Sequence, residues 1–429
     1  MMAKAGEHIA SYYAASAPKA PLRPALAADV STEICIIGGG FSGVAAALSL
    51  AERGHDVVLL EANRLGWGAS GRNGGQVLPG WSGEGEMIRQ LGPRAQEFLR
   101  RTRYRGHDLI EGRLKKYAID CDYVRGAATV ALNARQMTSL QAEFDEAKAG
   151  GSGEHLELVD AAGLKRHVAS DLYCGGLIDR RAAHCHPLNL CLGEARAAET
   201  LGARLYEQTN VIAIAHGERP VVATAQGKVT ARQVILAGNA YHKLEQDKLG
   251  GYMLPAQTFT IATEIIGENR ARAVLPDNIG VCDANWALDY FRRSADHRLL
   301  FGGLCTYSNR NIVDIEGALT PRLFEIFPQL EGVRAEFAWG GAIGIPLNRV
   351  PLIGRVGENV YYAQGYSGHG VNCSHIAGEI LADAIEAKAD GVDLFEAVRH
   401  FRIPAAGVIG NPLLALGMTW FRMRDALGV

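Results

Sequence analysis

The 429-residue sequence predicts an α/β protein in which a parallel sheet with crossover helices is interleaved along the chain with a unit built on an antiparallel β-sheet and covering helices. Three observations carry this. A strand, a glycine turn and a helix follow one another over residues 33–54, and a second strand, glycine turn and helix stand far along the chain at 359–388. Between them, from about Met253, short β runs give way to longer β segments. The length suits two or three units sharing sizeable cores. Lys and Arg total 44 against 46 for Asp and Glu, a formal charge of −2 with no long block of like charge, so a nucleic-acid-binding footprint is not expected.

After a polar, proline-broken lead (Pro18, Pro21, Pro24), the first ordered signal is residues 33–37, a short run that reads as a buried parallel strand. Gly38, Gly40 and Gly43, with Phe41 and Ser42 between them, then open a run of strong helix formers that Gly54 ends. A second apolar strand closes on Glu61 and Ala62. Gly38 permits the tight turn, Gly40 lets a pyrophosphate approach the backbone, and Gly43 allows the helix to pack close on the strand. The helix N-terminus offers free N–H groups to phosphate, and Glu61 can accept from both hydroxyls of an adenosine ribose. GxGxxG alone is weak, but inside a complete βαβ unit with the acidic residue it reads as a Rossmann-type dinucleotide site, and the carboxylate argues against a 2′-phosphate.

Residues 63–76 form a loop in which five glycines follow residue 65, where a nicotinamide-binding unit would ordinarily continue with helix and strand. Such a backbone suits running flat beside a large planar ring. Ser70, Arg72, Asn73, Gly74, Gly75 and Gln76 are the candidates here. The later turn, Gly365, Tyr366, Gly368, His369, Gly370 and Val371, feeds a second helix N-terminus. Aimed at a flavin, that end would stabilise negative charge developing on reduction.

The segments between are read in order. Residues 93–117 and 135–149 are polar cover helices, and 187–201 is a helix with proline at its start and glycine past its end. Short β runs over 204–237 end in a strand at 234–237 that rejoins the first sheet. Strands at 259–266, 288–292, 299–304 and 335–343 build the antiparallel sheet. The expected division is a discontinuous dinucleotide domain (30–90, 155–250, 345–395), a substrate domain (91–154, 251–344) and a C-terminal helical tail (396–429). The aromatic segment 413–427 in that tail is expected to pack on the domain or on a partner subunit rather than on a membrane. The arginines from Arg89 to Arg105 are read as a solvated helix face.

Eight cysteines with no CxxC pair suit a reduced cytoplasmic protein. The cluster His184, Cys185, His186 and Cys191 lacks the second pair that a structural metal site needs, so no metal is expected, and the two histidines are read as structural. No apolar run is long enough for a stable membrane insertion, and Lys4, Glu7 and His8 leave no signal-peptide core.

The motifs Ser11-Tyr-Tyr-Ala-Ala-Ser16, Gly68-Ala-Ser-Gly-Arg-Asn-Gly-Gly-Gln76, Ile119-Asp-Cys-Asp-Tyr123, His186-Pro-Leu-Asn189, Leu288-Asp-Tyr290 and Gly365-Tyr-Ser-Gly-His-Gly-Val371 are spread over nearly the whole chain. By them the sequence resembles the γ-glutamylputrescine oxidoreductase family, within the D-amino-acid-oxidase (DAO) type of FAD-dependent oxidoreductases. The resemblance implies FAD, with Val211 near the adenine; Gly238 and Gly341 complete the expected cofactor residues. No His or Cys stands in residues 70–76 and no Cys in 340–346, so noncovalent FAD is expected. It also implies oxidation of an aliphatic amine, γ-glutamylputrescine or a similar γ-glutamyl alkylamine, by hydride transfer to flavin N5. The resulting imine hydrolyses to aldehyde and ammonia, and oxygen or another electron acceptor reoxidises the flavin.

An apolar slot would disfavour the ammonium form of the amine, and Tyr290, Trp339, Tyr366 and His369 are its candidates, with Trp286 a weaker one. Single aromatics are also what cores contain. Relatives that oxidise N-methyl amino acids carry a carboxylate-gripping lysine at the position of Asn372, so Asn372 is the candidate substrate contact for an amine without an adjacent carboxylate. The alternatives are another amine or amino acid (a diamine, a secondary amine, a D-amino acid), or a non-catalytic flavoprotein. A homo-oligomer is compatible with the sequence.

Overall fold

The computed structural model describes residues 6–285, 288–306 and 312–403. The chain enters one sheet at β1 (Ile34–Ile37), crosses through α1 (Phe41–Glu52) to β2 (Val57–Leu60), and then adds β3 (Gln76–Val77) to the edge of another. Helices α2 (Glu84–Leu91), α3 (Pro93–Thr102) and α4 (Arg105–Lys116) follow. The second sheet continues with β4 (Val124–Ala131), α5 (Ala134–Ala149), β5 (Leu156–Asp160) and β6 (Gly175–His184). Helix α6 (Pro187–Thr200) returns to the first sheet at β7 (Arg204–Tyr206), and β8 (Gln233–Leu236) joins it too. Strands β9 (Met253–Thr263), β10 (Gly280–Asp283), β11 (Tyr290–Arg293), β12 (Leu299–Thr306) and β13 (Ala335–Pro346) complete the second sheet, with α7 (Ile315–Ile326) against it. Finally β14 (Leu352–Gly357), β15 (Val360–Gln364) and α8 (Gly370–Ile385) return to the first.

The first sheet has the order β14-β15-β8-β1-β2-β7, parallel except at the β14 edge. β1 and β2 are buried at every residue, as central parallel strands must be. The strand at 234–237 does rejoin this sheet, pairing with β1 in register Ile235 to Ile36. The second sheet runs β13-β9-β12-β11-β10-β4-β6-β3, with β5 on β6, and is antiparallel except where β10 meets β4. A small sheet joins Val30–Ser31, Val211–Ala215, Val221–Thr224 and Lys228–Thr230.

Two boundaries fall differently from those the sequence suggested. Residues 156–184, expected in the dinucleotide domain, lie in the antiparallel sheet, because β6 pairs with β4 and β5. Conversely α3 and α4, expected in the substrate domain, put Phe98, Leu99 and Ile110 into the core beneath α1, α6 and α8. Both follow from pairing and packing between distant segments. The lead also does more than its polarity suggested, since a helix at Tyr12–Ser16 buries Tyr13 edge-on against Trp339. Residues 404–429, most of the expected C-terminal tail, lie outside the described residues.

Helices α1 and α8 touch closely because both carry small residues. A Cβ at Gly378 would come 2.7 Å from the Ala46 backbone nitrogen. Behind this contact lies a buried polar network. Glu194 accepts from Arg113 at 3.1 Å and pairs with His375 Nε2 at 3.0 Å, while Arg113 also donates to Ser49 Oγ. Burial pushes the Glu194 carboxyl up, but His375 and Arg113 outweigh it and hold the group below its usual range. No described helix is long and apolar enough to cross a membrane.

Two predictions follow from these buried groups. Glu194→Gln removes the carboxylate facing Arg113 and His375 and should destabilise the protein by about 3–5 kcal/mol in urea unfolding. His184 and His186 are pushed down from an ordinary 6.5 to about 3, by burial first and by Arg292 second. Between those values only the unfolded chain takes up their protons. Stability is therefore full above pH 6.5 and should fall as pH drops below it, by about 1.4 kcal/mol per pH unit for each histidine, measurable as a declining urea midpoint.

Candidate functional site

A single cavity of about 1370 Å³ runs from Glu61, Thr209 and Val211, past the N-terminus of α1, to Tyr290, Tyr366 and the N-terminus of α8. That exceeds the ~300–1,000 Å³ of ordinary small-molecule pockets, as a dinucleotide beside a second small ligand requires. At one end Glu61 leaves β2 with Oε2 accepting from Gly39 N at 2.7 Å and Oε1 from Asn63 N at 2.8 Å. Burial pushes its carboxyl up, and those two N–H groups pull it back only in part. The turn admits no side chain. Gly38 has φ +112°, and a Cβ on Gly43 would lie 1.9 Å from the Gly38 carbonyl oxygen.

Neither α1 nor α8 has a side-chain cap from its N-cap residue, Gly40 or His369. Their free N–H groups and positive dipole ends therefore meet in one cavity. Ser42 Oγ and Tyr366 Oη, 2.7 Å apart, tie the two openings together, and Phe41 N donates to Ser70 Oγ at 2.8 Å. The glycine loop is held from within. Asn73 Nδ2 donates to the Ala69 and Ser70 carbonyls, Gly75 N donates to Asn73 Oδ1, and Gln76 Nε2 reaches Val281 O.

Of the expected cofactor residues, Gly38, Gly40, Phe41, Ser42, Glu61, Ala62, Ser70, Asn73, Gly74, Gln76, Val211, Gly238, Gly368, His369, Gly370 and Val371 line the cavity. Gly43, Arg72, Gly75, Gly341 and Gly365 stand behind it, where they shape the backbone that does. Tyr290 and Tyr366 form walls, and burial pushes Tyr290 up to about 12 and Tyr366 higher, so both are neutral phenols. Gly74 and Gly302 make room for Tyr290, since a Cβ on Gly302 would lie 2.1 Å from its ring. His369 Nε2 donates to Pro79 O at 3.0 Å, and burial lowers its pKa, so it is a neutral helix-opening group.

Two candidates make structural contacts. Trp339 does not line the cavity: it is buried against Tyr13, and its Nε1 donates to Arg72 O at 2.9 Å. Asn372 lines the cavity, and its amide is hydrogen-bonded to Gly80 O, Arg103 O and His107. His186 accepts from Asn189 N as the N-cap of α6, and His184 Nε2 donates to Asn278 O. Trp286 lies outside the described residues. Among the described residues no cluster suits a metal ion.

Sequence reasoning missed Trp67 and Tyr241, paired edge-on at 5.6 Å, and the wall of Leu78, Thr258, Leu288, Leu304, Cys305 and Ile343. It also missed Glu84 and Arg349, on adjoining turns where a Cβ at Gly83 would meet the Arg349 backbone. The glycines around Trp67 were a usable signal; the rest is assembled from separate strands.

The family model described as FAD dependent oxidoreductase (DAO) matches residues 33–384. The chain belongs to this family. It is therefore an FAD-dependent oxidoreductase, and the glycine cradle, two uncapped helix ends and long cavity fit that cofactor. Gamma-glutamylputrescine oxidoreductase of Escherichia coli is 42% identical over 426 residues, covering 99% of this chain and 100% of that protein. A probable oxidoreductase, OrdL, of Haemophilus influenzae is 37% identical over 98% of both. Among solved structures, glycine oxidase from Geobacillus kaustophilus superposes with TM-score 0.71 at 22% identity, over 87% of this chain and all of that one, a likeness of fold.

Gly302→Ala should drive Tyr290 out of the cavity wall. We expect weaker FAD retention on gel filtration and a lower yield of flavin per chain, with the far-UV circular dichroism unchanged.

Proposed function

We propose that this enzyme oxidises the primary amine end of γ-glutamylputrescine or a similar γ-glutamyl alkylamine. The observation that carries the reading is the 42% identity, end to end, with a protein named for that substrate. The geometry supports it. The wall opposite the nucleotide end is mostly aliphatic and aromatic, which favours an amine in its neutral form, the form that can give up hydride. Glu84, whose Oε1 accepts from Trp81 N, and Arg349, which donates to Ser367 O, stand on the same wall and would offer opposite signs to the amino and carboxylate ends of a γ-glutamyl head.

Bound FAD would supply the two-electron acceptor. This chain's part is to hold and orient. Gly38 to Gly43, Glu61 and Val211 would carry the nucleotide, the ends of α1 and α8 would face negative charge, and Tyr290 and Tyr366 would keep the amine in a dry slot. Neither phenol ionises near neutral pH, so neither supplies a base, and the slot would take the amine already neutral, its proton having passed to bulk water before binding. Water then hydrolyses the imine to aldehyde and ammonia, and oxygen or another acceptor takes the electrons.

Anaerobic addition of γ-glutamylputrescine should bleach the flavin band, with recovery when air is admitted. Putrescine and N-methylglycine should bleach it far more slowly, and equal or faster bleaching by N-methylglycine would sink the assignment. Acid precipitation should leave the yellow colour in solution, because the FAD is held without a covalent bond.

A further inference from the structure

Arg292 on β11 is among the largest fully buried side chains, yet among the described residues no carboxylate forms an ion pair with it. Its Nε donates to Gly74 O at 2.7 Å, Nη1 to Arg293 O at 3.1 Å and Nη2 to Tyr13 Oη at 3.2 Å. Asp122 senses the charge only at a distance. A buried cation without a counter-charge is costly, and a neutral side chain of similar volume would ordinarily serve packing better. The position explains what it gives in return.

Side chains two residues apart on a strand share a face, so Arg292 lies beside Tyr290, which lines the cavity. Gly74, whose carbonyl it holds, lines the cavity too. The fit is close: a Cβ on Gly75 would lie 2.8 Å from the Arg292 Nε and Nη2 atoms. A second guanidinium, Arg72, belongs to the same loop. It lies 4.1 Å over the Trp67 ring, donates to Trp67 O at 2.7 Å, and has a buried Nη2 without a hydrogen bond. It also has no ion pair among the described residues. Two guanidinium groups without acid partners thus flank one glycine loop in a region where low dielectric leaves their field unscreened.

We infer that Arg292 is a positioning residue that clamps the glycine loop to the cavity and gives that wall a standing positive potential, so that the site favours a flavin ring carrying negative charge. This holds whichever amine is oxidised. It assigns the loop a redox role in addition to binding.

The test uses the FAD-loaded protein and sodium sulfite, which adds reversibly to an oxidised flavin ring and leaves negative charge on it. The sulfite Kd, read from loss of the flavin band, reports the potential without turnover. Wild type should form the adduct; Arg292→Met should raise the Kd about tenfold or more and lower the flavin midpoint potential, while Arg292→Lys should stay within about threefold. Tyr13→Phe removes one hydrogen bond and keeps the charge, so it should leave the Kd unchanged. Where Arg292→Met does not fold, Arg292→Gln keeps a donor to Gly74 O without the charge and should show the same tenfold loss, about. No adduct with wild type, equal affinity in the neutral variants, or a loss that lysine does not rescue overturns the inference.

Discussion

Two helices that open onto one cavity without a cap from their own N-cap residues, α1 with only its first N–H met by Ser70, are the constraint on which the rest of this structure depends. An uncapped helix end leaves N–H groups unsatisfied, which is tolerable only where an anion or water can meet them. Here α1 and α8 are held at that end by the bond between Ser42 and Tyr366, and further along by Gly378 lying directly on Ala45 and Ala46. The buried Arg113, Glu194 and His375 network behind them joins α4, α6 and α8 to the same block. Small residues bring the axes close, and the polar network fixes their register.

The second sheet supplies the opposite wall. Its strands β9, β11, β12 and β13 come from one continuous part of the chain, and they contribute Thr258, Tyr290, Leu304 and Ile343 to the cavity. Gly74, Gly75 and Gly302 are the points of closest approach, where the glycine loop and the sheet leave no room for a Cβ beside Tyr290 and Arg292. In the proposed reaction the chain contributes orientation, dryness and fixed charge, and leaves the electron chemistry to the cofactor.

Much of this was legible beforehand. The dinucleotide turn, the glycine loop, the second helix opening and the return of β8 to the first sheet all follow from local patterns, because each depends on a few residues close in sequence. That Trp339 falls outside the cavity, and that Asn372 reaches its wall with its amide already hydrogen-bonded, was not legible, for the opposite reason. Each stands in a motif-bearing segment, and only the placement of Gly80, His107 and Arg72 shows that their polar atoms are already engaged. The limits of the domains failed likewise at β5, β6, α3 and α4, since a strand's own residues do not name its partner.

By itself the sequence pointed to a dinucleotide site at a strand, glycine turn and helix, because those residues create backbone that a phosphate could approach and a carboxylate that a ribose could reach. Only the tertiary structure decided what faces the far end of the cavity. Glu84, Tyr290, Ile343 and Arg349 come from four separate stretches. Their meeting depends on long-range sheet pairing, which no local spacing encodes.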